Sequence, residues 1–157
     1  MNKALLAVAV LLAAFSVGYP AGVKARNTAS DVDVLRQFGI FGTTAPDCSA
    51  PPSSANPHVT YAVDADGELT RTLRTGTAID ATLKMRNAHL LRSDLLEYEE
   101  TGRQSELKVV MARIDRKFRG WHSVRTSGPE TGDVLIDQGI LSATGKPTLA
   151  FTLCRAN

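Results

Sequence analysis

Apolar and polar residues alternate along most of the chain after residue 58, in short segments separated by turn residues. The clearest alternation covers 79–86, where Ile79, Leu83 and Met85 share one face with Ala81. A period of two predicts strands that are buried on one side. Similar patterns predict strands around 59–63, 94–101, 106–115, 118–127, 133–141 and 148–154. Asp66-Gly67 predicts a hairpin turn of the primed type.

The segment 30–39 has the pattern of a short helix instead. Ser30 is a capping residue, Asp31 and Asp33 favour the positive end of the helix dipole, and Gly39 is placed to end the helix. Four prolines in 46–57 predict an irregular loop. The strand spacing is typical of a sandwich or barrel, and barrel closure removes exposed strand edges. We predict an all-β fold, an up-and-down antiparallel β-barrel of about eight strands with a short N-terminal helix.

The first 25 residues have the pattern of a cleaved signal peptide. Asn2-Lys3 is followed by an apolar run that ends at Gly18, and Val23-Lys24-Ala25 is a small-x-small cleavage site. Cleavage after Gly18 is the alternative. The run is shorter than the ~20 residues that a membrane-spanning helix needs. We therefore expect a periplasmic or secreted protein with one domain, 26–157, and no transmembrane segment after signal removal.

Charge excludes one large class of partner. Removing Lys3 and Lys24 from the 18 basic residues balances the 16 acidic ones. A nucleic-acid-binding domain needs a strongly basic face, so we expect no nucleic-acid partner.

The two cysteines, Cys48 and Cys154, lie near the two ends of the predicted domain. In an oxidising compartment such a pair is expected to form a disulfide. The alternatives are a reactive pair or metal ligands, but neither cysteine belongs to a Cys-x-x-Cys motif. The sequence therefore predicts one structural bridge that links the start of the fold to its end.

No motif indicates catalysis, a metal or a cofactor. The three histidines lack partners at metal-ligand spacing, and no Gly-x-Ser-x-Gly elbow occurs. Ser123 follows His122, which places the two side chains on opposite faces of a strand. Glu97 and Glu99 share a strand face that we interpret as solvated. We predict a protein that is not an enzyme, with no catalytic residue, no metal site and no cofactor.

The densest basic segment, 113–119, falls where two strands are expected to turn. We expect its basic side chains to lie at the hairpin tip, where they could bind an anionic partner. These candidate partner-surface residues are Arg113, Arg116, Lys117 and Arg119. A solvated turn is the alternative interpretation. Trp121, the single tryptophan, is either a core residue or an anchor in a ligand cavity. The interior of a small barrel holds one small ligand or its own side chains. Tyr61 and Met85 on its inner face are the other candidate ligand-binding residues.

A short helix that leads into Phe38-Gly39-Ile40-Phe41-Gly42-Thr43, then a meander and a closing cysteine strand, resembles the lipocalin and avidin-like small barrels. Those barrels usually carry Gly-x-Trp at the first strand, and this chain has Gly39-x-Phe41. The chain also resembles exported bacterial proteins with an Asp-Cys-Ser, a proline-rich loop, a meander and a closing cysteine. The first resemblance implies a ligand cavity, and the second implies no activity.

Two functions are compatible with these features. The first is an exported non-enzymatic protein that binds a small apolar or amphipathic molecule in a barrel cavity. The second is a loop-mediated protein-interaction module, such as an inhibitor or accessory factor of an envelope enzyme. In either case we expect a monomer.

Overall fold

The computed structural model describes residues 28–102 and 105–156, with side chains from residue 31 onward. The predicted signal peptide lies outside the described residues. One helix, α1 (Thr28–Phe38), comes before ten strands. The strands are β1 (Gly42–Ala45), β2 (His58–Val63), β3 (Leu69–Arg74), β4 (Ala81–Arg92), β5 (Leu95–Thr101), β6 (Glu106–Ile114), β7 (Lys117–Arg125), β8 (Val134–Asp137), β9 (Ile140–Leu141) and β10 (Thr152–Ala156).

All ten strands belong to one antiparallel sheet. Strands β1 to β9 are neighbours in chain order, and β10 returns to pair with the outer edge of β1. The sheet curls into a half-barrel that stays open. Two isolated bridges join the segment before β10 to the opposite side of the sheet, Ile140–Pro147 and Phe118–Phe151, and the backbones of the two phenylalanines exchange two hydrogen bonds of 2.8 Å. The all-β antiparallel prediction is confirmed, but a closed barrel of about eight strands is wrong in both strand number and closure.

Local backbone geometry explains this difference. Positive φ angles at Gln138 (48°) and Gly139 (80°) turn the chain inside the predicted strand 133–141, which becomes the hairpin of β8 and β9. The predicted strand 148–154 enters the sheet only at Thr152, and before it Pro147 and Phe151 make isolated bridges. A closed barrel needs a continuous hydrogen-bonded seam. Isolated bridges leave this seam open.

The predicted hairpins are present, and their turns differ in type. Between β2 and β3 the Gly67 N–H donates to the Asp64 carbonyl, and Gly67 itself has a φ of +82°. This is the pattern of a type I turn with a glycine bulge, not of a two-residue primed turn. The primed geometry occurs instead between β6 and β7, where Asp115 and Arg116 both have positive φ.

Helix α1 ends where the sequence predicts. The Ile40 N–H donates to the Leu35 carbonyl and the Gly39 N–H to that of Arg36, and Gly39 has φ +88°. This is the Schellman arrangement that favours glycine after the last helical residue. The helix begins at Thr28, two residues before the predicted cap Ser30.

The main core lies between α1 and the concave face of the sheet. Leu35 and Phe38 from the helix belong to the same buried cluster as Leu96, Met111 and Phe118 from the strands. Because paired residues of antiparallel strands share a face, the concave face follows the cross-strand rows of the sheet. The core is therefore built from alternate residues of each strand, as the period of two requires.

The proline-rich loop between β1 and β2 is organised by one side chain. The Asn56 amide nitrogen donates to the carbonyls of Asp47, Ala50 and Pro51 at 3.0–3.2 Å. Its oxygen accepts from the Asp47 N–H at 2.9 Å. These bonds replace the backbone ladder that prolines prevent.

The predicted disulfide is confirmed. Cys48 in this loop is bonded to Cys154 in β10, with 5.3 Å between their Cα atoms. The bridge reinforces the pairing of the first and last strands.

Candidate functional site

A buried ion pair lies on the concave face of the sheet. Arg71 of β3 and Glu100 of β5 meet side on, with Nε–Oε2 at 2.8 Å and Nη2–Oε1 at 3.0 Å. The Arg71 side chain is 22% exposed and that of Glu100 only 3%. Burial alone lowers the pKa of Arg71, but the Glu100 carboxylate outweighs burial and the net pKa is raised. Arg71 therefore stays charged, and two parallel hydrogen bonds fix the pair.

Two tyrosines lie beside this pair. Tyr61 is directly opposite Arg71 in the β2–β3 register, and Tyr98 is two residues before Glu100 on the same face of β5. The two hydroxyls are hydrogen-bonded to each other, and burial raises the pKa of both phenols. Both rings are therefore neutral at physiological pH and keep their hydroxyl protons as donors.

A cavity of about 440 Å³ opens onto these four side chains. Its volume falls in the range of small-molecule sites, about 300–1,000 Å³. Leu149 lines the cavity and is 46% exposed, so the cavity reaches solvent at that residue. The rest of the wall is mainly apolar and includes Val59, Val109, Met111, Leu135, Ile136 and Phe151.

Three further hydroxyl side chains lie on the wall, those of Thr44, Ser123 and Thr148. Thr44 donates to the Val59 carbonyl at 3.2 Å, and Thr148 donates to the Gly120 carbonyl at 3.0 Å. Ser123 is 4% exposed and lines the same cavity. The Ser123 hydroxyl can both donate and accept a hydrogen bond, so a ligand head that does the same is favoured there.

No protein-family model, no curated protein and no solved structure matches the chain. The resemblance to lipocalin and avidin-like barrels thus remains an expectation from the sequence.

The structure separates the three residues predicted to bind a ligand. Tyr61 lines the cavity. Met85 is buried in the main core and is not part of the cavity wall. Trp121 lies half-buried in a second groove of about 400 Å³, near Ile114, Lys117, Arg119, Gly139, Ile140 and Pro147. The three residues do not form one site.

The predicted basic surface is also divided. Arg116 and Lys117 are exposed at the hairpin tip. Arg113 is instead anchored, because its guanidinium donates to the carbonyls of Phe38 and Ser93, each at 2.9 Å. Arg119 donates to the Thr148 carbonyl at 3.3 Å. Two of the four cations therefore support the packed structure, and two are available at the tip.

Histidines and outward carboxylates lie away from the cavity. Glu97 and Glu99 face outward, where Lys108 and Arg86 pair with them at 3.0 and 2.9 Å. His122 contacts Asp137 at 3.5 Å on the face opposite Ser123. Among residues 28–102 and 105–156, no group of three or more metal-ligating side chains occurs. No helix in the same residues has the length and apolar character needed to cross a membrane.

Sequence reasoning missed Arg71, Glu100 and Ser123 as cavity residues. The signal was present in the strand pattern. Arg71 lies between Leu69 and Leu73, and Glu100 follows Leu96 and Tyr98 at the same spacing of two. A single charge on an otherwise apolar strand face indicates an internal partner, because an unpaired charge there is too costly.

Proposed function

We propose that the protein binds a small amphipathic molecule in the cavity of its half-barrel, without catalysing a reaction on it. The observation that carries this proposal is the wall itself. Apolar side chains form most of it, and a few buried polar groups converge on one part, as is typical of ligand sites. The cavity holds roughly 15 non-hydrogen atoms if each takes the volume share of a water molecule.

A matched pair of variants on β6 tests this proposal. Leu107 lines the cavity, and the next residue, Lys108, points outward to Glu97. Leu107→Trp fills part of the cavity, so we expect binding of 1-octanol, measured by titration calorimetry, to weaken at least about tenfold. Lys108→Trp adds the same side chain on the other face and leaves the affinity unchanged. Equal effects of both variants, or no binding by the unmodified protein, would overturn the proposal.

Native mass spectrometry of the protein, purified gently from its host, can identify the natural ligand by its mass. A bound molecule of about 15 non-hydrogen atoms that is absent from the Leu107→Trp variant supports cavity binding. A protein without any bound molecule favours a protein-docking function instead.

The groove at Trp121 supports a second candidate, a module that docks an acidic protein of the envelope. The exposed apolar side chains Ile114 and Ile140 lie there beside Lys117. The double variant Arg116→Glu and Lys117→Glu is expected to keep the fold, since both residues are exposed. It should release a co-purifying partner if this function is correct. A partner retained by the variant contradicts docking at the tip.

A further inference from the structure

The charged groups of the cavity neutralise each other. Among the described residues that line it, the formally charged side chains are Arg71 and Glu100, and each is the other's bidentate partner. A ligand with its own net charge would enter this space without a counter-ion. Burial of an unpaired charge costs several kcal/mol after relaxation, so a charged ligand is disfavoured.

The other polar side chains on the cavity wall carry hydroxyls. Ser123 is buried in the wall and its hydroxyl can both donate and accept. Tyr61 and Tyr98 stay protonated because burial raises the pKa of each phenol. The Ser123 hydroxyl complements a head that is itself a neutral donor and acceptor, such as a hydroxyl or an amide. The apolar wall complements an aliphatic or similar tail.

We propose that the ligand is an uncharged amphiphile with a hydroxyl or amide head, and that Ser123 hydrogen-bonds this head. The inference rests on the proposed binding function and specifies the class of molecule that the cavity takes.

Three ligands with the same tail test the inference: 1-octanol, octanoate and octylamine, titrated calorimetrically at a pH where the last two are ionised. We expect 1-octanol to bind at least about tenfold more tightly than either ion, because neither ion finds a free counter-charge. Octanoate or octylamine binding as tightly as 1-octanol would overturn the inference and leave the cavity function intact. No binding of any of the three would overturn the function itself, and the inference with it.

Two substitutions identify the groups responsible. Ser123→Ala should weaken 1-octanol binding about threefold to tenfold, which is the effect of one hydrogen bond. Glu100→Gln leaves Arg71 without its carboxylate and should change the preference toward octanoate. Glu99→Gln is the control, since it removes the same charge from the outer face of the same strand.

Circular dichroism shows whether Glu100→Gln folds. If this variant does not fold, the Ser123→Ala variant tests the inference. Unchanged 1-octanol affinity in Ser123→Ala would overturn the role of the serine. An octanoate preference in Glu99→Gln as well as Glu100→Gln would overturn the role of the internal ion pair.

Discussion

At the scale of single residues, Arg71 and Glu100 show how a polar group is retained inside an apolar face. The guanidinium and the carboxylate meet through two hydrogen bonds, so neither charge is buried alone. Such a pair contributes little net stability relative to apolar residues, but loss of one partner is costly. Its structural importance therefore becomes visible only when the pair is broken.

Arg71→Met is expected to lower the free energy of unfolding by about 3 kcal/mol, because Glu100 then stays buried without a counter-charge. The double variant Arg71→Met and Glu100→Met should recover most of this loss. Urea unfolding measures both. The control Arg86→Met breaks exposed ion pairs and should cost at most about 1 kcal/mol. A double variant less stable than the single one contradicts the argument.

Alkaline pH should unfold the protein through its tyrosines. A raised pKa means that the folded state holds the Tyr61 and Tyr98 protons more tightly than the unfolded chain, whose tyrosines titrate near their ordinary pKa of about 10. Stability is therefore complete below pH 10 and falls as the pH rises above it. Tyrosinate absorbance and circular dichroism should change together. Early tyrosinate absorbance in a folded chain would show that the rings are accessible.

Trp121 shows where residue prediction from the sequence fails. Residues two apart on a regular strand share a face, so Trp121 would lie on the inner face together with Ser123. The β6–β7 register shifts between Val110 and Met111, so that His122 pairs with Val110 and Gly120 with Met111. Trp121 is the extra residue of this bulge. One inserted residue changes the face of every side chain before it, and the sequence carries no clear signal for it.

At the scale of elements, α1 is fastened to the sheet by a carboxylate. Asp31 is 6% exposed and accepts hydrogen bonds from the Asn87 and Ala88 N–H groups, both at 3.1 Å. Asn87 has φ +59° and lies at a register shift of β4. The sequence predicted Asp31 as a helix-dipole residue. Its tertiary role depends on a bulge 56 residues away, which local patterns do not reveal.

Asp31→Ala is expected to destabilise the protein by about 3 kcal/mol, since two buried N–H groups lose a charged acceptor. Asp33→Ala is the matched control on the same helix. Its carboxylate is 76% exposed and pairs only at 3.6 Å with Arg36, so its loss should cost about 0.5 kcal/mol or less. Thermal unfolding of both variants tests the difference. Equal effects would mean that Asp31 acts only through the helix dipole.

Hairpins were the most predictable elements. Alternation located β5, β6 and β7 to within one or two residues, because each strand buries one face and pairs with its sequence neighbour. The end of the sheet was less predictable. Ile79, for example, continues the apolar alternation of β4 but is 54% exposed and lies before the strand begins. An alternating pattern predicts a strand but does not specify what covers its end.

At the scale of the whole molecule, the cysteines correctly predicted that the first and last strands meet. They did not predict an open sheet, because β1–β10 pairing is compatible with both an open and a closed curl. Closure is decided between β7 and the segment before β10, where Phe118 and Phe151 form an isolated bridge and not a continuous ladder. That contact depends on packing across the concave face, which the sequence pattern of β7 or of β10 by itself does not predict.

Cys48→Ser and Cys154→Ser should destabilise the protein equally, because each removes the same bridge. The cysteines are separated by 106 residues. The chain-entropy model assigns about 4–5 kcal/mol to a loop of that length. The double variant should match either single one in calorimetry. A sharp difference between the single variants would show that a remaining thiol, and not the lost bridge, determines their stability.

The pairing of β1 with β10 also sets an order of events during synthesis. While the chain is still being made, the outer edge of β1 has no neighbour until the five residues of β10 have emerged. An uncovered strand edge is a template for association with other chains. A chain truncated before Thr152 should therefore aggregate, whereas a chain that includes β10 covers its own edge.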